Sequence, residues 1–158
     1  MFCCRGYGQK SRLALNSGIA CGATSILIPE VPFDIERDVI QRMRKTMLTD
    51  KKHFIIVVAE GCEIDVHDLA KEIEEKTGVE SRATVLGHTQ RGGYPTARDR
   101  VMATKMGNYA VKLLMNNIGN RVVAAQKEDV VDYDIFEALN MTKTIDMNLY
   151  NIAHEVSI

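Results

Sequence analysis

Apolar positions along this chain change their spacing repeatedly, and each change marks an element. Four short runs, Ser25 to Ile28, Phe54 to Ala59, Ala83 to Leu86 and Val122 to Ala125, have the near-continuous apolar character of strands covered on both faces. Between them the spacing shifts to three and four. After Asp34 it places Val39, Ile40, Met43 and Met47 on one helical stripe. Asp65 is suited to cap a second helix with Val66, Leu69, Ala70 and Ile73 on one face, and Thr77-Gly78 supplies the glycine expected just past its end. A longer helix is predicted from about Pro95 to Asn116, with Pro95 in the first turn and Met102, Met106, Tyr109, Ala110, Leu113 and Leu114 on its apolar stripe. These stripes are read as core, because an amphipathic helix buries its apolar face. Two short helical patterns, Ile135 to Asn140 and Met147 to Val156, read as closing elements. Strand alternating with helix predicts an α/β fold of βαβ units, three layers around a mostly parallel sheet, in one region spanning 1–158.

Composition narrows the function without choosing it. The 158 residues are 46% hydrophobic and 26% charged, as in ordinary globular domains. Twenty basic against twenty-one acidic side chains leave a net charge of −1, so no global field draws the chain to nucleic acid or to a membrane surface. An anion site would have to be a local cluster. Cys3, Cys4, Cys21 and Cys62 form no CxxC pair and show no zinc spacing, so reduced thiols are expected, with neither a disulfide framework nor a metal site. No apolar run is long enough to cross a bilayer, and Met1 to Gly8 lacks the apolar core of a signal peptide.

The chemistry concentrates in Arg82-Ala-Thr-Val-Leu-Gly-His88-Thr-Gln-Arg91-Gly-Gly-Tyr-Pro-Thr-Ala-Arg98-Asp-Arg100. A strand runs into a glycine-bearing turn and then towards a helix. Arg91 offers a planar fork for two phosphate oxygens, and Gly92 and Gly93 allow close backbone approach. His88 could donate a further bond, and the start of the helix could add its partial positive charge. Arg82 stands at the other end of the strand, roughly 20 Å away in extended chain, and so is expected to serve a different copy of the site. Glu60, following the strand at Val57-Val58-Ala59 and preceding Gly61, is placed to accept from substrate hydroxyls. As alternatives, His88 can be a structural turn residue, Glu60 a solvated strand end, and Arg98-Asp99-Arg100 a solvated helix face.

Together with Ser17-Gly18-Ile19-Ala20, Ile26-Leu27-Ile28-Pro29-Glu30, Lys51-Lys52-His53 and Val58-Ala59-Glu60-Gly61, the turn resembles the second half of the bacterial-type, ATP-dependent 6-phosphofructokinases, from about Leu13 to Ile158. The resemblance implies that Glu60 accepts from the hydroxyls of fructose 6-phosphate, and that His88 and Arg91 hold its phosphate. It also implies that Arg82 reaches a neighbouring subunit's phosphate, and that Gly22, Lys51 and Lys52 belong to a nucleotide effector site. It divides the chain into a sugar-phosphate and effector lobe, 1–91 with 143–158, and a segment, 92–142, that returns to a nucleotide lobe. The implied reaction is phosphorylation to fructose 1,6-bisphosphate in glycolysis, in the cytoplasm.

The sequence also departs from the family pattern. Thr24 stands where the family has a metal-coordinating glutamate and Thr49 where it commonly has an arginine; Tyr94 and Arg98 replace a serine and an aromatic residue. The glycine-rich loops for ATP, the acidic Mg²⁺ ligands and the Thr-Ile-Asp-Asn-Asp stretch of the catalytic base do not occur. The fold is therefore expected to be incomplete relative to the family. The chain alone is expected to bind neither ATP nor Mg²⁺, to contribute no catalytic or metal-ligating residue, and to be inactive without a complementary half. The expected partners are fructose 6-phosphate and either further copies of the chain or a complementary or full-length phosphofructokinase subunit. The stripe Met102, Met106, Tyr109 and Leu113 and the strand at Val122 would then leave apolar surface for such a partner. The alternatives are a non-catalytic sugar-phosphate-binding or subunit-association module, and a truncated product without function.

Overall fold

The strand run ending at Ala59 organises the first part of the molecule. In the computed structural model, which describes residues 2–4, 10–49, 51, 53–142 and 144–156 (the backbone alone at 2–4, 10 and 91), Ile56–Ala59 forms strand β3. It lies inside a four-stranded sheet with β1 (Phe2–Cys4), β2 (Ser25–Leu27) and β4 (Thr84–Val85), in the order β2-β3-β1-β4. Every pairing is parallel.

Strand alternation then sorts the core into two layers. Ile26 and Ile28 of the β2 region and Val57 and Ala59 of β3 point to one face, where Ala14 and Leu15 of helix α1 (Lys10–Ala20) and Ala153 of helix α6 (Met147–Val156) cover them. Leu27, Ile56 and Val58 point to the other face. There they meet Val39, Ile40 and Met43, from a π-helical turn (Glu36–Ile40) that runs into helix α2 (Gln41–Met47), and Val66, Leu69 and Ile73 of helix α3 (Val66–Thr77). Period two in the strands and period three to four in the helices thus meet as three layers.

Local chemistry fixes the element ends. The Asp65 carboxylate accepts from the His67 and Asp68 amides at 2.8 and 3.1 Å, and Gly78 closes α3 in the left-handed region at φ 72°. Arg42 bridges the two helical layers beside edge strand β2, donating to the Thr24 carbonyl at 3.1 Å and the His154 carbonyl at 2.9 Å.

Residues 92–144 form a second compact unit, separate from 1–91 with 145–158. It holds helix α4 (Ala97–Met115), an antiparallel hairpin of β5 (Arg121–Gln126) and β6 (Asp129–Asp134), and helix α5 (Ile135–Asn140). A carboxylate clamp ties helix to hairpin: the Tyr109 hydroxyl donates to Asp132 Oδ1 at 2.6 Å and Arg121 Nε to Oδ2 at 2.5 Å. Those two bonds hold Asp132 below the usual carboxylate range. Among the described residues of this unit none is buried. The α4 stripe read as core from the sequence is only half-buried at Met102, Met106, Tyr109, Ala110 and Leu113, and Leu114 is exposed. Strands β1 and β6 and helix α1 are additions to the elements read from the sequence.

Candidate functional site

Because all four strands of the first unit are parallel, their carboxyl ends share one edge of the sheet. Glu60 follows β3 at that edge and lines a cleft of about 480 Å³ with Gly61, Cys62, Glu63, His67 and Val85 of β4. Gly61 adopts φ 106°, a conformation that glycine tolerates, and so lets the chain leave the strand sharply below Glu60. From the same edge the backbone leaves β4 in a 3₁₀ turn over Gly87–Arg91, in which the Thr89 amide donates to the Leu86 carbonyl at 3.0 Å. His88 is exposed on this turn. The sheet thus brings Glu60, His88 and the backbone of Arg91 to one edge, where open α/β sheets hold their ligands.

Arg82 stands at the opposite edge, where β4 begins. It is exposed, and Glu80 accepts from its guanidinium at 2.7 Å, which raises the arginine's pKa above the ordinary value. His53 and Phe54, ahead of β3, line the same hollow of about 240 Å³ as Arg82. Thr24, just before β2, donates its amide to the Ile55 carbonyl at 2.7 Å, so the turn that holds Gly22 meets the start of β3 at the amino edge, and Lys51 precedes β3 in the chain. Lys52 lies outside the described residues, as does the Arg91 side chain. The candidates therefore fall into two groups at opposite edges: Glu60, His88 and Arg91 at one, and Gly22, Lys51 and Arg82 at the other.

One part of the sequence reading changes. The start of α4 is already satisfied by its own residues: the Thr96 amide donates to Asp99 Oδ2 at 2.8 Å, and the Asp99 amide donates to Thr96 Oγ1 at 3.3 Å. Thr96 is the cap, with Pro95 one residue outside the helix. The bonds from Thr96 hold Asp99 below the usual carboxylate range, so a negative charge already occupies this helix start. Arg98 pairs with Glu128 within the second unit. His67, on the first turn of α3, lines the Glu60 cleft and was not singled out by sequence. Its signal was its position two residues after a capping aspartate that follows a strand end.

No helix among the described residues is long and apolar enough to cross a membrane. Nor do the described residues group three or more His, Cys, Asp or Glu side chains as a metal ion would require. The first unit presents anion-binding residue types at both edges of its sheet, with Glu60 at the carboxyl edge and Glu80 beside Arg82 at the other.

Known proteins match this chain over most of its length. The phosphofructokinase family model matches residues 7–114. The ATP-dependent 6-phosphofructokinases of Bacillus cytotoxicus and Bacillus pumilus are 49% and 47% identical over 146 residues, which is 92% of this chain and 45% of each relative. This chain therefore spans a little under half the length of those relatives. Among solved structures, phosphofructokinase from Saccharomyces cerevisiae superposes on 99% of the chain with a TM-score of 0.79 at 22% identity, covering 24% of that larger chain. Pichia pastoris phosphofructokinase superposes on 94% with a TM-score of 0.74 at 26% identity, covering 18% of its chain. The parallel sheet, its two helical layers and the match across most of the sequence lead to one assignment: the chain belongs to the phosphofructokinase family.

Proposed function

We propose that the carboxyl edge of the first unit binds fructose 6-phosphate. The observation that carries this reading is the convergence of Glu60 and the Gly87–Arg91 turn on one edge of a parallel sheet, beside an open cleft. His88 and Arg91 take the sugar phosphate, a dianion suited to a guanidinium fork and an imidazole N–H. Glu60 accepts from sugar hydroxyls across the cleft. Holding both ends of the sugar positions its free hydroxymethyl oxygen for phosphorylation, and phosphoryl transfer depends largely on such positioning.

Arg82, at the far edge, serves a neighbouring subunit's sugar phosphate in this reading. Gly22, Lys51 and Lys52 form part of a second anion site, for a nucleotide effector. The reaction is the ATP-dependent phosphorylation that the relatives' names describe, a step of glycolysis in the cytoplasm. In this reading the nucleotide and its metal are held outside this chain. The first unit is the sugar-phosphate lobe, and 92–142 is the segment that completes the nucleotide lobe.

Calorimetric titration with fructose 6-phosphate, beside fructose as the uncharged control, tests the site. Saturable heat with the phosphorylated sugar alone is expected, weakened at least tenfold by Arg91→Ala and by His88→Ala. Loss of one charge-assisted hydrogen bond corresponds to roughly 1.5 to 3 kcal/mol. Equal binding of both sugars, or full affinity in Arg91→Ala, would sink the proposal.

A further inference from the structure

The Glu60 cleft holds one polar side chain that the sugar contacts proposed above leave unused. Among the described residues that line it, Glu60, Glu63 and Asp65 are carboxylates, which only accept, and His67 alone brings a side-chain nitrogen. The Cys62 thiol is a weak donor and packs against both core layers. Asp65 is already committed, since its carboxylate accepts from the His67 and Asp68 amides at 2.8 and 3.1 Å. Those two bonds fix the first turn of α3 and the point from which the His67 side chain leaves it. Val66, Leu69, Ala70 and Ile73 turn the buried face of that helix inward, whereas His67 is exposed and has no part in the core.

Sugar hydroxyls give that nitrogen a use. Each hydroxyl donates one hydrogen bond and offers two lone pairs, and water satisfies both kinds of site. Glu60 can replace the water that accepts, but not the water that donates. A hydroxyl oxygen drawn among carboxylates would lose its donors, and a polar group left without a partner weakens binding more than a made bond strengthens it. His67 can supply the missing donor. Its place relative to Glu60 is set by packing rather than by a loop tip, because Val58 of β3 shares one buried cluster with Val66 and Leu69 of α3.

We propose that His67 is a substrate-binding residue of the Glu60 cleft, donating to the sugar hydroxyls from which Glu60 accepts. Acceptor and donor together then read the hydroxyls in both senses, and a site built to do so rejects a ligand that lacks them. The cleft is thereby selective for a phosphorylated polyol over phosphate alone. This inference rests on the assignment of the carboxyl edge to fructose 6-phosphate.

The test titrates the parent chain, His67→Met and His67→Gln with fructose 6-phosphate by calorimetry, and with inorganic phosphate by phosphorus NMR. Methionine keeps the bulk without a nitrogen donor, and glutamine keeps an N–H. His67→Met should weaken fructose 6-phosphate about threefold or more, as loss of one neutral hydrogen bond does, and leave inorganic phosphate unchanged. His67→Gln should recover most of that loss. In the parent chain the His67 ring nitrogen resonances should move with fructose 6-phosphate and stay in place with inorganic phosphate. Because α3 is started by backbone bonds to Asp65, both variants should melt within about 2 °C of the parent. Full affinity for fructose 6-phosphate in His67→Met overturns this inference and leaves the proposed function standing. Equal weakening of both ligands, or loss of the fold in His67→Met, also overturns it, the first by assigning His67 to the anion and the second to structure. A parent chain that binds no fructose 6-phosphate overturns both readings together.

Discussion

At the scale of the residue, the loop from Glu60 to Asp65 shows how the strand end is held open beside its cleft. Glu63 sits there at φ 51°, in the left-handed region where a side chain costs about 1 to 2 kcal/mol. Two residues on, Asp65 supplies the cap that starts α3, and bonds from the Asp68 and His67 amides hold its carboxyl below the usual range. Neighbouring substitutions should therefore act in opposite directions. Glu63→Gly is expected to stabilise the chain by about 0.5 kcal/mol, since relief of strain exceeds the added chain entropy. Asp65→Ala is expected to cost about 1 kcal/mol through the lost cap. Urea unfolding of both variants checks the pair, and equal signs would show that the loop is not strained as its backbone indicates. The cap was legible in the sequence because aspartate ahead of an apolar period has one common use. The strain was not, because nothing in Cys62-Glu63-Ile64 announces a positive φ.

Among elements, legibility followed the size of the buried side chains. Helix α3 announces itself through Val66, Leu69 and Ile73, which fill one face. Helix α1 hides, because its inner face is built from Ser11, Ala14, Leu15 and Gly18. Gly18 explains the choice: a Cβ there would stand 2.5 Å from Ile26 Cδ1, so close approach of helix to strand replaces bulk. Strand β6 hides for another reason, since its Asp132 reads as a turn residue until Tyr109 and Arg121 are seen to satisfy it. Candidate site residues were legible as residue types, and Arg82 was already set at the far end of its strand from His88 and Arg91; that Glu60 shares their edge needed the parallel pairing.

Helix α6 is the element most exposed to pH. His154 is half-buried against Tyr150, with ring centroids 4.4 Å apart, and burial first, then Arg42, pulls its pKa below the ordinary 6.5. The unfolded chain then takes up the proton before the native one does, so stability is full above about pH 6.5 and falls as the pH drops through that value. Thermal melts of the parent chain should lose several degrees between pH 7.5 and 5.5, and His154→Gln should flatten that slope. A slope unchanged in the variant would move the titration to another group.

For the molecule as a whole, the two units should differ sharply in local stability. The first unit buries Leu27, Ile28, Ile40, Met43 and Val58 almost completely, whereas the second buries nothing among its described residues. Amides of β2 and β3 should therefore exchange only on global unfolding, and those of α4, β5 and β6 orders of magnitude faster. Mass spectrometry of exchange by segment reads this directly; uniform protection across both units would contradict it. The family fold was legible from the turn at Gly87 to Gly93 and its companions, and the resemblance also led to the expectation that α4 and the strand at Val122 leave apolar surface, although a helical stripe by itself looks the same in sequence whether or not anything covers it.

The first unit is also discontinuous: it is begun by 1–91 and completed by Ile145 onward, when Ala153 joins Ala14 and Leu15 over the sheet. During synthesis, about 65 residues from Gly92 to Val156 must emerge before that layer closes. At roughly 5 to 20 residues per second the sheet face over Ile26 and Val57 waits some 3 to 13 s for its last cover. The nascent chain is therefore most in need of a chaperone in that interval, while the ribosome is still making the unit that has no core to offer.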